Sequence, residues 1–247
     1  PHLASMIGAH VVMIQTDENF QPDLVALKNS ITDRTKLIVV NTPNNPSGAV
    51  YPESTLRKIV KLAATNNVTI ISDEIYENFI FGETEHFSIG SIYDNTITMN
   101  GFSKEYAMTG WRMGYIAGPK DIIAAINELQ QYTVMSSSSI AQHASVAALR
   151  YKPRNIYKYE AKHDYAVEKF KEMGLKVKGA RGAYYMFIEV PEGMNDLEFI
   201  DKAYAVNVIL IPGRAFSKRT NFVRLSYGAS MSELKRGLKL LEKVVKQ

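Results

Sequence analysis

Short apolar runs and one amphipathic segment alternate through the first half of the chain. Apolar residues are continuous at 37–40, while 68–71 and 96–99 combine apolar residues with threonine, and each run ends at a polar or glycine-containing loop. Such runs are typical of strands buried in a parallel sheet, and the continuous run 37–40 is typical of a central strand. Between the first two, residues 53–66 place apolar side chains at helical spacing, namely Leu56, Ile59, Val60 and Ala63. The order strand, helix, strand predicts right-handed crossovers and a mostly parallel α/β sheet.

Weaker patterns complete this first part. Residues 11–14 predict a short strand, and Asp23 is a suitable N-cap for a helix over 24–31. A further strand is predicted at 115–118. Two helices are predicted to follow, at 121–129 and 140–149. The serine run 136–139 lies between them.

The second part of the chain has a different pattern. Residues 151–154 predict a domain boundary, followed by a long charged helix over 155–173 that Gly174 ends. The remaining predicted elements are strands at 184–190, 208–211 and 222–226, a helix at 197–206, and a final helix from about Ser232 with Leu234, Leu238, Leu241 and Val245 at helical spacing. We therefore predict a large domain over residues 1–150 and a small α+β domain over 151–247.

Composition narrows the class of protein. Of 247 residues, 46% are apolar and 22% charged, the net charge is only +4, and cysteine is absent. Absence of cysteine excludes disulfides and thiolate metal sites and favours a cytoplasmic protein. No apolar run is long enough to cross a bilayer, no signal-peptide pattern opens the chain, and the basic residues form no arginine-rich cluster. We expect neither a membrane nor a nucleic acid as partner.

The segment between the strands predicted at 96–99 and 115–118 carries the most distinctive chemistry. It is polar, is punctuated by glycine, and holds Lys104 directly after Ser103 with Arg112 eight positions further on. Lysine forms Schiff bases with aldehydes, and arginine binds phosphate through a planar fork. A cofactor with an aldehyde and a phosphate, such as pyridoxal 5'-phosphate (PLP), suits this pair.

Residues 103–114 resemble the lysine motif of the class I and II aminotransferases, the fold type I PLP enzymes related to aspartate aminotransferase. The resemblance extends from the first residues almost to the last. It implies a three-layer α/β/α large domain, incomplete here, together with a small C-terminal domain. It also implies a homodimer that exchanges an amino group between an L-amino acid, aspartate or similar, and a 2-oxo acid. The chain resembles the second part of a subunit, so we expect the fragment alone to bind PLP weakly and turn over poorly.

The resemblance also assigns roles to polar residues that follow predicted strands. It implies that Lys104 attaches the cofactor and shuttles the substrate proton, and that Asp73 faces the ring nitrogen, keeping it protonated because opposite charges favour each other. Tyr76 and Asn45 are implied to hydrogen-bond the phenolic oxygen of the ring. The carboxyl ends of strands are where open parallel sheets bind ligands.

Phosphate and carboxylate binding are assigned in the same way. The resemblance implies that Ser103 and Arg112 bind the phosphate, and that Arg224, with Asn45 beside it, binds the α-carboxylate of the substrate. Arg214 is a competing carboxylate ligand, since it stands where small residues are commoner in the family. Gly101 occupies a position where many relatives carry a hydroxyl, so one phosphate ligand is missing or is supplied elsewhere.

Two neighbours of these residues receive no catalytic role. Glu74 has no role in the family that we can assign and is expected to face solvent or a structural partner, and Trp111 is expected to pack beside the lysine motif.

Other functions remain open on the sequence alone. A PLP-dependent lyase that cleaves a C–S bond has the same lysine and aspartate, so these motifs do not separate it from a transaminase. A non-catalytic aminotransferase-like binding module can dispense with Lys104 or Asp73, and both are present here. A nucleotide-binding domain is excluded because no glycine-rich fingerprint follows a strand.

Overall fold

A computed structural model describes residues 1–151 and 156–246 of the chain. Its helices are α1 His2–Met6, α2 Leu24–Ser30, α3 Glu53–Thr65, α4 Lys120–Thr133, α5 Ser139–Leu149, α6 Ile156–Glu172, α7 Asp196–Ala205 and α8 Met231–Val245. Its strands are β1 Leu37–Asn41, β2 Thr69–Asp73, β3 Thr96–Gly101, β4 Gly114–Ala117, β5 Tyr185–Glu189, β6 Ile211–Pro212 and β7 Phe222–Ser226. The predicted α/β class is confirmed.

The first sheet has the strand order β1-β2-β3-β4. The first three strands are parallel, with Asn41 opposite Asp73 and Asp73 opposite Met99, whereas β4 runs antiparallel to β3. Because parallel strands end on the same side of a sheet, the polar residues that follow β1, β2 and β3 share one edge. That edge carries the candidate site.

Helix α3 covers one face of this sheet. Its Leu56, Ile59 and Ala63 are buried against Ile38 and Ile70 of the strands, which explains the predicted amphipathic pattern. The opposite face is more open, since Leu37 and Val39 are 51% and 68% exposed. The run 37–40 was interpreted as typical of a central strand, and in the described part of the chain β1 is instead an edge strand.

The second sheet is antiparallel, in the order β5-β7-β6. Its apolar face packs against the helices that surround it, through Phe170 of α6, Phe199 of α7 and Leu238 of α8. Backbone contacts join this part to the loops that follow β1 and β2; among them, Ile80 bridges Gly182, and Arg181 N donates to Gly48 O. The second sheet therefore lies next to the loop that follows β1.

Several local predictions need correction. Residues 11–14 form no strand, because a strand needs a paired neighbour and the only pairing nearby is an isolated bridge between Thr16 and Pro22. The strand predicted at 208–211 is only Ile211–Pro212. The domain boundary predicted at 151–154 lies, except for Tyr151, outside the described residues, and the two-domain division stays a prediction. Within residues 1–151 and 156–246, every helix is too short or too polar to span a bilayer.

Candidate active site

Asp73 stands at the carboxyl end of β2, where the sheet edge turns into a loop. Its backbone oxygen accepts hydrogen bonds from Asn41 Nδ2 at 3.2 Å and Thr42 N at 3.3 Å, which fixes the end of the strand. Its side chain is half-buried and accepts from Ile75 N at 3.3 Å. Burial raises the pKa of Asp73, the Ile75 hydrogen bond lowers it, and the charge of Glu74 raises it again. A cation opposite Asp73 would favour its charged form and so act against the effect of burial.

Lys104 follows β3 and lies among aromatic rings. Its Nζ is 5.9 Å from the ring centroids of both Tyr76 and Tyr184. Tyr76 is buried, and burial, followed by its hydrogen bond to Tyr185, raises the pKa of its phenol, which keeps the hydroxyl protonated. The amine is therefore held over apolar ring faces beside a neutral phenol.

Tyr185 connects this aromatic group to Arg224. The hydroxyl of Tyr76 donates to that of Tyr185 at 3.3 Å, and the Arg224 guanidinium carbon lies 4.5 Å from the centroid of the Tyr185 ring. Phe216 supports the same guanidinium at 4.8 Å. Arg224 comes from β7 and Tyr76 from the loop after β2, so the site is formed where the two sheets meet.

Asn45 joins Arg224 directly. Its Oδ1 accepts from Arg224 Nη1 at 2.8 Å, and its backbone N donates to Asn41 Oδ1 at 2.9 Å. The Nε of Arg224 is buried and has no hydrogen-bond partner among the described residues. A buried guanidinium donor without a partner is costly, so this atom is suited to an anionic ligand such as a carboxylate.

Arg112 and Ser103, the two predicted phosphate ligands, lie in the segment between β3 and β4. Arg112 is exposed, adopts a left-handed backbone conformation with φ 53°, and donates through Nη1 to Thr109 O at 3.0 Å. Ser103 is half-buried in the turn after β3. Gly101 is explained by packing, because a Cβ there would lie 2.9 Å from both Gly114 Cα and Met113 O. The close approach of β3 and β4 therefore excludes a hydroxyl residue at that position.

Arg214 is not available as a competing carboxylate ligand. Its Nε and Nη2 donate to Asp196 Oδ1 at 2.9 and 2.5 Å, and its backbone N donates to Asp196 Oδ2 at 3.1 Å. Asp196 is fully buried at the start of α7, so the ion pair ties the turn after β6 to that helix. The position of Arg214 is thus explained by the small domain's own structure.

Because of the Asp196–Arg214 pair, we expect the free energy of unfolding to fall in acid. Burial raises the pKa of Asp196, but the hydrogen bonds and the charge of Arg214, together with the Leu197 N–H, outweigh it, so the native pKa lies below the ordinary value. The unfolded chain then binds the proton more tightly, and stability present at neutral pH is lost as the pH falls below about 4 and through the lowered pKa. Thermal unfolding followed across acid pH checks this.

Two variants separate this pair from general acid effects. Asp196→Asn should lower the unfolding temperature at neutral pH by roughly 2–4 °C or more, and should flatten its decline in acid. The exposed Asp33→Asn should leave both unchanged. If the unfolding temperature of Asp196→Asn still declined in acid as much as that of the unsubstituted chain, other carboxylates would be responsible for the decline.

The sequence analysis missed Tyr184 and Tyr185 as members of the site. Both lie where β5 begins, and Tyr184 packs against Tyr76 with ring centroids 5.5 Å apart. The available signal was the tyrosine pair itself, since adjacent bulky polar aromatics at a strand start point to opposite faces and one must meet a neighbouring element.

Comparisons with known proteins identify the family. The family profile described as aminotransferase class I and II matches residues 1–241. The chain is 36% identical to a bifunctional aspartate aminotransferase and glutamate/aspartate-prephenate aminotransferase of Petunia hybrida, covering 99% of this chain and 56% of the relative. It is 35% identical to an aspartate/prephenate aminotransferase of Thermus thermophilus, covering 99% of this chain and 66% of the relative.

A solved structure agrees with the sequence relatives. The aspartate aminotransferase of Thermotoga maritima superposes with a TM-score of 0.93 at 33% identity, covering 98% of this chain and 65% of that one. The chain thus spans from 56% to 66% of the length of these three proteins. The chain belongs to the class I and II aminotransferase family.

Proposed function

We propose that the protein is a PLP-dependent aminotransferase that exchanges an amino group between an L-amino acid, aspartate or similar, and a 2-oxo acid. One observation carries the proposal: a lysine amine, a buried phenol and an arginine with an unpartnered buried Nε are connected through Tyr185. An amine for the aldehyde of a cofactor and a guanidinium for a substrate carboxylate are the two groups that this exchange needs. The family membership supports the same conclusion.

Each residue of the site is suited to one part of the cofactor. We propose that Lys104 holds the aldehyde carbon, that Asp73 pairs with the ring nitrogen, and that Tyr76 and Asn45 donate to the phenolic oxygen. The one O–H of Tyr76 now donates to Tyr185, so it must turn away from that hydroxyl to do so. The raised pKa of Asp73, caused mainly by burial, fits a carboxyl whose cationic partner is the protonated ring. Ser103 and Arg112 are proposed to bind the phosphate. Arg112 now contacts Thr109 O, so its side chain must turn away from that carbonyl to do so.

The residues of this chain then divide the work of the exchange. When bound, PLP supplies an electron-accepting ring next to the substrate's Cα. Arg224 and Asn45 hold the α-carboxylate and so orient the Cα–H bond. Lys104 Nζ is the base that removes the Cα proton, and the surrounding tyrosine rings limit access of water to it. Asp73 would hold a proton on the ring nitrogen by pairing with it as a carboxylate.

Reductive trapping tests the proposal. We expect added PLP to give a visible absorbance band with the chain, and borohydride reduction to fix the cofactor covalently on the peptide that contains Lys104. The reason is that an imine is reduced to a stable secondary amine, so the label records which amine formed it. Mass spectrometry of the digested chain identifies the labelled lysine.

Lys162 is the internal control for that experiment. It is largely buried on α6, donates to Ala229 O at 2.7 Å, and its pKa is lowered by burial and by Lys158, which favours the unprotonated, reactive amine. Nonspecific labelling should therefore appear at Lys162 before most other lysines. Label on Lys162 in place of Lys104 would contradict the site assignment.

The outcome of the reaction separates the enzymatic alternatives. A transaminase returns a new amino acid together with the 2-oxo acid, whereas a C–S lyase releases ammonia and a thiol, and a binding module releases neither. We favour transamination because the curated relatives above are named aminotransferases. The homodimer and the cytoplasmic location remain predictions that rest on the resemblance and on the absence of cysteine.

A further inference from the structure

A buried carboxylate lies directly behind Asp73, in a network that the proposed reaction does not use. Glu74 is only 1% exposed. Its Oε1 accepts from Ser72 Oγ at 2.7 Å and from Ser88 Oγ at 3.0 Å, and its Oε2 lies 2.9 Å from His86 Nε2. The expectation that Glu74 faces solvent or a structural partner is thus resolved in favour of a partner.

Hydrogen bonds hold the Glu74 carboxylate in one position. Burying a carboxylate is costly unless hydrogen bonds compensate, and here both hydroxyls and the imidazole surround its two oxygens. The side chain of His86 is largely buried too, and its Nδ1 has no partner in the described part of the chain. Glu74 is therefore the one hydrogen-bond partner of the His86 ring in that part of the chain.

The geometry connects this network to the direction of Asp73. Successive side chains of an extended strand point to opposite faces, so Ser72 and Glu74 share a face and Asp73 points the other way. The backbone is fixed at the same place, because Glu74 N donates to Met99 O at 2.9 Å. With Ser72 and Glu74 both fixed behind the strand, the Asp73 side chain is directed to the open face.

Charge makes the partner of Glu74 important as well. Glu74 adds to the burial effect that raises the pKa of Asp73, and it contributes to the raised pKa of Tyr115. Glu77 is a second acidic neighbour. One of its carboxylate oxygens lies within 4.8 Å of a ring nitrogen of His86 and of a carboxylate oxygen of Glu74. Ser72 and Ser88 bind one carboxylate oxygen of Glu74, and His86 binds the other. His86 is therefore the contact that fixes Oε2 of this acidic group next to Asp73.

We propose that Glu74 and His86 form a buried positioning pair that fixes the Asp73 carboxylate toward the cofactor ring. The inference rests on the proposed function, because the direction of Asp73 matters to a bound cofactor only if the ring nitrogen is its partner. Neither residue touches the reacting atoms, so both act through Asp73.

PLP binding and the spectrum of the bound cofactor test the pair. His86→Leu should weaken PLP binding about tenfold by loss of one charge-assisted hydrogen bond, and should shift the visible band of the imine, which is conjugated to the ring that Asp73 faces. His86→Gln should restore most of both, since its amide donates near the position of Nε2. Glu74→Gln should also weaken PLP binding, because it removes the carboxylate that both serines and His86 hold in place. Dissociation constants come from absorbance titrations with PLP.

A second buried histidine provides a matched control. His163 is buried on α6, and its Nε2 donates to Ala180 O at 2.7 Å. His163→Leu should lower the unfolding temperature and leave PLP affinity and the spectrum unchanged. If His86→Leu behaves in the same way as His163→Leu, the pair is merely structural and the inference is overturned.

The proposed function and the inference fail in different ways. An unsubstituted chain that gives no visible band with PLP overturns the proposed function and the inference with it. An unsubstituted chain that binds PLP, with His86→Leu and Glu74→Gln binding it equally well and with the same spectrum, overturns the positioning pair alone.

Discussion

Replacing Lys104 with alanine is expected to abolish the visible PLP band, remove the borohydride label from its peptide, and reduce amino-group exchange at least about a thousandfold. The loss combines two roles of one amine, because Lys104 is proposed both to hold the cofactor and to remove the Cα proton. Its Nζ lies among aromatic rings, 5.9 Å from the centroids of Tyr76 and Tyr184. Exchange is measured by the conversion of a labelled 2-oxo acid.

Two lysine variants give the necessary contrast. Lys104→Arg keeps the positive charge but neither forms the imine nor releases a proton near neutral pH, so it should be as inactive as alanine. Lys61→Ala, on the exposed side of α3, should retain the activity and the spectrum of the unsubstituted chain. Substantial exchange by Lys104→Arg would mean that charge alone is what the site needs, and the assignment of the base would then be wrong.

Local patterns were sufficient to predict the fold class. Apolar runs at 37–40 and 68–71 identified β1 and β2, and the spacing of Leu56, Ile59 and Ala63 identified the buried side of α3, because each pattern reflects contacts within one element. The N-cap at Asp23 is confirmed as well, since its side chain accepts from Val25 N and Ala26 N. These features depend on neighbours only a few residues away.

Errors arose where an element depends on a distant partner. An apolar run such as 11–14 indicates a tendency to be buried, but a strand also needs a neighbour to hydrogen-bond with, and the sequence does not supply that information. The same limit explains β1, where apolar residues predicted a central strand and the structure has an edge strand. Whether a segment forms a strand depends largely on its own residues. Whether that strand is central or at the edge depends on the other strands of the sheet.

The candidate site shows the same division. Asp73 and Lys104 could be proposed from the ends of predicted strands, because the edge of a parallel sheet collects such residues. The contacts that complete the site are long-range: Tyr76 and Tyr185 are 109 positions apart, and Asn45 and Arg224 are 179 apart. No local pattern encodes these pairs. The resemblance supplied Arg224 and Asn45, and Tyr185 became apparent only in the structure.

Glu74 illustrates why a neighbour of a predicted residue can be misjudged. A carboxylate after a strand is usually solvated, so the sequence offered no reason to bury it. Its donors Ser88 and His86 lie 14 and 12 positions away in a loop without a recognisable pattern. Burial of a charged group is decided by the donors that the fold gathers around it, and those donors were not visible before the loop was placed.

Replacing Arg224 with lysine is expected to raise the KM for the amino acid and for the 2-oxo acid by about a hundredfold, with a smaller effect on kcat. Arginine presents a planar fork, and its Nη1 is occupied by Asn45 while Nε is buried without a partner among the described residues. A lysine ammonium does not reproduce two parallel hydrogen bonds to a carboxylate, nor the stacking on Tyr185 and Phe216. Steady-state kinetics with both substrates varied gives the two constants.

If Arg224→Lys raises KM by loss of a carboxylate contact and not by a general loss of structure, the rise should be confined to substrates that have an α-carboxylate. Binding of an amine that lacks the α-carboxylate should change little between the unsubstituted chain and Arg224→Lys, because the lost contact was never available to it. Arg57→Lys, an exposed arginine paired with Glu53 on α3, should leave KM unchanged. Arg214→Lys should lower the unfolding temperature, since Arg214 is bonded to Asp196, but should not raise KM. If Arg214→Lys raised KM while Arg224→Lys did not, the carboxylate would bind at Arg214, and the Asp196 pair would have to open to admit it.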